Sequence, residues 1–200
     1  MEHYVKNMLK YIDYPNGFFI EAGANDGIAQ SYTYELEKNG WRGILIEPSL
    51  DVFENCMLNR SSENSFYNCA LVAYEGLTGI KGDFDGHLMA SIDGKRLERE
   101  WQVIVPARTL NSILEELRIH KIDLFSLDVE GYELEVLKGF NIMKYRPKFI
   151  IIEIYDYLAE DIQKLMDDSG YELIECLTGY NKKDYPNWDG THNDYLFKAL

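Results

Sequence analysis

Five acidic residues close apolar runs in this sequence, and they are the side chains best placed for chemistry: Glu21, Glu47, Asp128, Glu130 and Glu153. In an open α/β sheet the carboxyl ends of the strands are where ligands bind. Glu21 follows Phe19-Ile20 and leads into Ala22-Gly23-Ala24-Asn25-Asp26-Gly27. Gly23 allows a tight turn at a strand end, and Gly27 allows backbone to approach a ligand closely. A dinucleotide site would need G-x-G-x-x-G, with a helix N-terminus facing a pyrophosphate. Here the middle glycine is missing, and Glu21 and Asp26 would repel that anion. Such a loop suits a ligand that carries an ammonium and a sulfonium and no phosphate. Taken alone, a glycine turn that only packs helix on strand explains it equally well. Glu47 closes Ile44-Leu45-Ile46, stands 24 residues after Gly23 and is followed by Pro48. A carboxylate there can accept hydrogen bonds from both hydroxyls of a ribose. A solvated strand-end acid is the plainer alternative, but the pairing with the glycine loop favours the ribose.

Asp128 and Glu130 emerge together where Leu124-Phe125-Ser126-Leu127 meets Gly131. Two carboxylates at such a point must be paired, hydrogen-bonded or metal-bound. They could grip an amino group, take a proton from a substrate hydroxyl, or hold a hard cation through oxygen. Glu133 and Glu135 read as the exposed face of the helix that follows. Glu153, after Phe149-Ile150-Ile151-Ile152, could join Asp128 around Mg²⁺ or Mn²⁺, orient an acceptor, or be a buried structural acid. The stretch 180–195 carries Tyr185, Trp188, Asp189, His192, Asn193 and Asp194, rings and polar groups that suit a sugar. His192 could serve as a base near neutral pH, although a lone histidine in an aromatic loop is more often structural. His3, His87 and His120 have no partner pattern.

These residues need a scaffold, and the sequence supplies one by alternating short apolar runs with amphipathic stretches. That pattern predicts βα units and a mainly parallel sheet. Helices are expected over 3–11, 28–38, 50–58, 110–117, 132–138 and 159–169, with Thr109 as an N-cap. Strands are expected over 18–22, 43–46, 65–72, 123–127 and 149–154. Two last strands, 171–176 and 194–198, with no helix between them, point to an antiparallel edge. The glycine-rich section 73–104 lacks steady periodicity and reads as hairpins and a cap over the site within one 200-residue domain.

A net charge of −14 argues against a nucleic-acid partner, since phosphate binding needs clustered Lys and Arg. Cys56, Cys69 and Cys176 have no metal-ligand spacing and read as small apolar residues in a reducing compartment. With no leader pattern and no run of membrane-spanning length, the expected location is the cytoplasm, of a cell or of an infected host. Nothing fixes the oligomeric state, and a homodimer is compatible with the sequence.

With these motifs in hand, the chain resembles the FkbM family of S-adenosylmethionine (SAM)-dependent methyltransferases. The resemblance rests on residues 16–27 with Ser31 and Thr33, on 37–48, on Asn59-Arg60, and most distinctively on Leu127-Asp128-Val129-Glu130-Gly131-Tyr132-Glu133 with 136–140. It runs from about Asn16 to Phe197. It implies a Rossmann-like class I methyltransferase fold, a seven-stranded, mostly parallel sheet with an antiparallel edge hairpin and helices on both faces. It further implies transfer of methyl to a hydroxyl, often of a sugar in a glycan or a glycosylated small molecule. By position, Glu21, Gly23 and Asn25 would line the methionine part of SAM, and Ala24, Asp26, Gly27 and Ser31 would belong to the cofactor site with them. Glu47 would hold the ribose, with Pro48 also in the cofactor site, and Asn68, Cys69 and Ala70 would flank the adenine. Asp128 and Glu130 would stand beside the reacting methyl. Many family members carry Lys where this chain has Ser126, so no lysine role is expected there. Glu153-Ile154-Tyr155 also departs from the Glu-His-Asn ending of some relatives. A NAD or nucleotide-sugar enzyme, and a non-catalytic protein on the same scaffold, are the competing readings.

Overall fold

The computed structural model describes residues 2–84, 90–92, 102–186, 188 and 190–200. In chain order the elements begin with α1 (His3–Leu9), β1 (Phe18–Ala22), α2 (Tyr34–Lys38), β2 (Arg42–Ile46) and α3 (Leu50–Asn59). Next come β3 (Ser65–Tyr67), β4 (Ala70–Leu71), β5 (Gly79–Gly82), β6 (Val103–Arg108), α4 (Leu110–Leu117) and β7 (Leu124–Leu127). The chain closes with α5 (Glu133–Gly139), α6 (Ile142–Tyr145), β8 (Phe149–Tyr155), α7 (Ala159–Asp168), β9 (Tyr171–Cys176) and β10 (His192–Ala199).

The most apolar runs lie at the centre. Every residue of β7 and β8 is buried, as strands covered on both faces require. The main sheet has seven strands in the order β3-β2-β1-β7-β8-β10-β9. The first five are parallel, and β10 runs antiparallel to both β8 and β9. The expected Rossmann-like sheet with an antiparallel edge is therefore what the chain forms, with β10 inserted beside β8 and β9 outermost. Because side chains alternate across a strand, β8 feeds two cores. Ile150, Ile152 and Ile154 pack with α4 to α7 on one face. Phe149 and Ile151 pack with α1, α2, Trp41 and Cys56 on the other. Each buried isoleucine contributes about 1.5–3 kcal/mol by leaving water.

Two departures from the sequence pattern have a polar cause. The helix expected from 28 starts at Tyr34, because Ser31 first uses its hydroxyl to accept the N–H groups of Thr33 and Tyr34. The expected strand 65–72 divides at Asn68, whose amide donates to the carbonyls of Glu47 and Pro48 at 2.9 and 3.0 Å. β3 stays in the main sheet, while β4 leaves it for a three-stranded sheet ordered β4-β6-β5. Of the section read as a cap, β5 and the start of β6 belong to this small sheet, and 85–89 and 93–101 lie outside the described residues. Thr109 caps α4 as expected, accepting from Ser112 N. Among the described residues no helix is long and apolar enough to cross a membrane.

Candidate functional site

Two strand ends meet at Gly23. Its φ is +84°, and a Cβ there would lie 1.7 Å from the backbone carbonyl oxygen of Asp128, so only glycine lets β1 and β7 close together. The N–H groups of Gly23 and Ala24 both donate to Ile46 O at 3.0 Å, and Asp128 N donates to Ala22 O at 3.0 Å. The ends of β1, β2 and β7 are thus laced into one ledge.

Below this ledge the fold builds a buried ion network that the sequence did not announce. Arg60, with its side chain fully buried, reaches Glu21 at 3.1 Å and Glu37 at 2.9 Å. It also donates to Gly27 O and to Thr33 Oγ1. Glu21 accepts further bonds from Ser31 at 2.8 Å and Thr33 at 2.6 Å. Burial works against the charge of Glu37, but the Ser61 N–H and the Arg60 guanidinium together hold its carboxyl below the usual range. Glu21 therefore turns its carboxylate to the loop that follows it. The hint in the sequence was Asn59-Arg60, a polar pair closing an amphipathic helix.

Above the ledge lies a cleft of about 940 Å³, counting the space open to solvent. Of the residues expected to bind a ligand, Glu21, Gly23, Asn25, Ser31, Glu47, Pro48, Cys69, Ala70, Asp128 and Glu130 line it. Phe84, Ala90 and Ile92, which the sequence reading did not single out, complete an apolar side. Among the described lining residues none is Lys or Arg. Glu47 accepts from Asn25 N at 2.9 Å and from Ser49 N at 2.8 Å. Burial nonetheless pushes its carboxyl up to about 7.

The remaining expected residues stand outside the lining. Ala24 is in the core. Asp26 accepts the N–H groups of Ile28 and Ala29, and Gly27 packs on Arg60 and Cys56. Asn68 holds the Glu47-Pro48 carbonyls. Glu153 and His192 sit to one side, on the paired strands β8 and β10.

There the acids crowd. Glu133 was expected on an exposed helix face and is instead fully buried. The reason is local: it opens α5 and folds back to accept from Val129 N at 2.9 Å and Gly131 N at 3.0 Å. Burial pushes it up to about 7. Glu153 lies 3.4 Å from His192 Nε2. Burial, and then the charges of Asp128, Glu130 and Glu133, hold it well above the carboxylate range. Asp128, Glu133 and Glu153 each present one oxygen within 4.8 Å of the others, so the expected pair Asp128 and Glu153 is brought together with a third member. Glu130, at φ +59°, accepts from Tyr155 Oη at 2.9 Å. Asp194, opposite Glu153 in the β8–β10 register, accepts from Tyr32 Oη at 2.6 Å, and burial raises it to about 6.

A run of rings borders this cluster. Tyr157, Tyr155, His192, Trp188 and Tyr180 follow one another with centroids 5.1–6.5 Å apart. Tyr180 then meets Tyr185, which stacks on His3. Asn193 is structural, accepting from Thr178 Oγ1 and Tyr180 N. Asp189 and His87 lie outside the described residues.

Comparison with known proteins agrees with this architecture. The model of the methyltransferase FkbM domain matches residues 21–173. The hexuronic acid methyltransferase AglP of Haloferax volcanii is 27% identical over 141 residues, covering 69% of this chain and 57% of that protein. The chain thus spans little more than half the length of that curated relative. Among solved structures, a ribosomal protein L11 methylase from Lactobacillus delbrueckii subsp. bulgaricus superposes with a TM-score of 0.56 at 8% identity, over 98% of this chain and 78% of that one. A TehB-like SAM-dependent methyltransferase from Corynebacterium glutamicum gives 0.51 at 11% identity, over 100% and 89%. At such identities the likeness is one of fold.

Proposed function

The chain belongs to the FkbM methyltransferase family, and from that premise we propose that it transfers a methyl group from SAM to an oxygen of a sugar acceptor. The observation that carries the reading is the cleft itself. An acid, Glu47, directly follows β2 where a ribose could be held, two acids follow β7, an apolar side suits a purine, and no described lining residue is a phosphate-binding cation. Among the described lining residues a pyrophosphate would find no counter-charge, whereas Asp128 and Glu130 present carboxyl groups suited to an ammonium. The sugar acceptor is suggested by the family and by the hexuronic acid named for AglP. The ring-lined wall beside the cleft is of the kind that packs on sugars.

When bound, SAM supplies an electrophilic methyl on a sulfonium. The protein's part is to hold donor and acceptor in line, a contribution worth several kcal/mol of barrier. Glu47 would accept from the ribose hydroxyls, and Asn25 N and Ser49 N keep its oxygens aimed. Asp128 and Glu130 would stand beside the methyl, where a carboxylate could take the proton of an acceptor hydroxyl. Glu153 and His192 shape the acceptor side, where the His192 imidazole, 3.4 Å from Glu153, is a candidate base.

Calorimetry with SAM and with NAD tests the donor. SAM should bind, and Glu47→Ala should weaken it by about tenfold, the loss of hydrogen bonds to a charged acceptor. Absence of SAM binding, or binding of NAD in its place, overturns the reading. Mass spectrometry of products from neutral, amino and uronic sugars tests the acceptor, with Asp128→Ala as the inactive control. Mild alkali distinguishes a methyl ester on a uronate carboxylate from an ether on a hydroxyl. A labelled methyl found on nitrogen or carbon, or on no sugar at all, refutes transfer to sugar oxygen.

A further inference from the structure

We propose that Asp128, Glu133 and Glu153 form a binding site for one hard divalent cation, of the magnesium, manganese or calcium class, beside the cleft. The three carboxylates come from the end of β7, the first residue of α5 and the interior of β8, and offer oxygens within 4.8 Å of one another. Glu133 and Glu153 are 0% and 6% exposed. Each keeps one buried oxygen, Oε2, with no hydrogen-bond partner. Buried polar atoms are almost always satisfied, and an orphan calls for an explanation such as an ion. Two orphans in one three-acid cluster call for it more strongly, because like charges at this spacing repel in a poorly hydrated setting.

The cluster is also pre-formed. Val129 N and Gly131 N fix the other oxygen of Glu133, and the backbone of Asp128 is tied to Ala22. Glu130 and Asp194 add negative charge around it, and His192 lies 3.4 Å from Glu153. An oxygen-only donor set selects hard cations over zinc or copper. The competing arrangement is a set of carboxyls that share protons and bind no metal. The site goes beyond the methyl-transfer reading and does not depend on it.

Titration of the whole chain with Mn²⁺, followed by the electron paramagnetic resonance of the free ion in physiological potassium chloride, decides between them. One saturable Mn²⁺ per chain is expected, displaced by Mg²⁺ or Ca²⁺ and accompanied by a higher melting temperature. Glu153→Gln should weaken it by at least about tenfold, whereas Asp168→Asn, an exposed acid on α7, should leave it unchanged. Glu133→Gln serves as a second variant; if it fails to fold, Glu153→Gln alone carries the decision. No saturable binding, binding that Glu153→Gln does not weaken, or binding that Asp168→Asn removes overturns the site. Calorimetry with SAM on the same metal-free samples separates a failure of this site from a failure of the donor reading.

Discussion

Glu21 and Glu153 both lie near the carboxyl ends of parallel strands, and they are buried to nearly the same degree, 4% and 6% exposed. Their surroundings differ completely. Glu21 receives a guanidinium and two hydroxyls from its own chain, so its charge is settled by the fold. Glu153 is surrounded by Asp128, Glu130, Glu133 and Asp194 and keeps an orphan oxygen. Burial alone therefore does not separate a structural acid from one kept for a ligand; the partners do. On the β1–β2 side the protein completes its own electrostatics and holds a rigid loop. On the β7–β8 side the described residues gather acids around Glu153, with His192 3.4 Å away.

The largest test of this contrast is Arg60→Met. It strands Glu21 and Glu37 in a dry interior, and removal of one partner of a buried pair costs about 3–5 kcal/mol. Urea unfolding should show that loss, and adding Glu21→Gln and Glu37→Gln to the variant should recover part of it. A loss below about 1 kcal/mol would mean that Glu21 is hydrated and that the comparison is drawn in the wrong place.

Glu47 stands between the two regimes, since it is bonded to two backbone N–H groups and still pushed up to about 7. Its folded-state carboxyl holds a proton more tightly than in the unfolded chain, where the value is near 4.5. Between those values the folded state binds more protons, so stability falls as pH rises through the window. Wild type should lose roughly 3 kcal/mol more than Glu47→Gln between about pH 4.5 and pH 8. Parallel pH profiles for the two proteins would place Glu47 with Glu21, as an acid whose charge the fold fully supports.

How much of this could be read from the sequence follows from the same division. The sheet was legible because its signal is local: apolar runs such as Phe149-Ile150-Ile151-Ile152 and their glycine stops carry their own structure. Gly23, Glu47 and Asp128 were legible because they sit at the ends of those runs. Arg60 was not, since its partners Glu21 and Glu37 are 39 and 23 residues away and only the fold brings them together. Glu133 was misread as exposed because helical periodicity describes the middle of a helix. A first-turn residue can fold back onto free N–H groups, and this one does. The break at Asn68 was hidden for a similar reason, since one side-chain amide outweighed the strand propensity around it.

A sign test applies to the two glutamates directly. In metal-free protein near pH 8, Glu21→Gln should destabilise by about 2 kcal/mol, because it weakens charged hydrogen bonds and leaves Arg60 half-paired. Glu153→Gln should stabilise by about 1 kcal/mol, since it removes one charge from a buried cluster of like charges. Thermal unfolding of both variants in EDTA measures the pair. Equal signs would show that the acids of β7 and β8 are satisfied after all.

The smallest effect is expected at Tyr155, whose hydroxyl donates to Glu130 Oε2 at 2.9 Å. Glu130 holds φ +59° at the edge of the cleft, a backbone state that costs on the order of 1 kcal/mol and persists only where neighbours enforce it. Tyr155→Phe keeps the ring against Tyr157 and His192 and removes only the enforcing hydrogen bond. The loss of stability should be about 1 kcal/mol or less. SAM affinity measured by calorimetry should nonetheless fall several-fold, because Glu130 loses a hydrogen bond that helps aim its carboxylate at the cleft. Arg60→Met should show the reverse weighting, with a large loss of stability that accounts for any loss of binding. If Tyr155→Phe costs stability and spares SAM, Glu130 belongs with the acids that the fold keeps for itself, and the boundary between the two regions moves from β7 to β8.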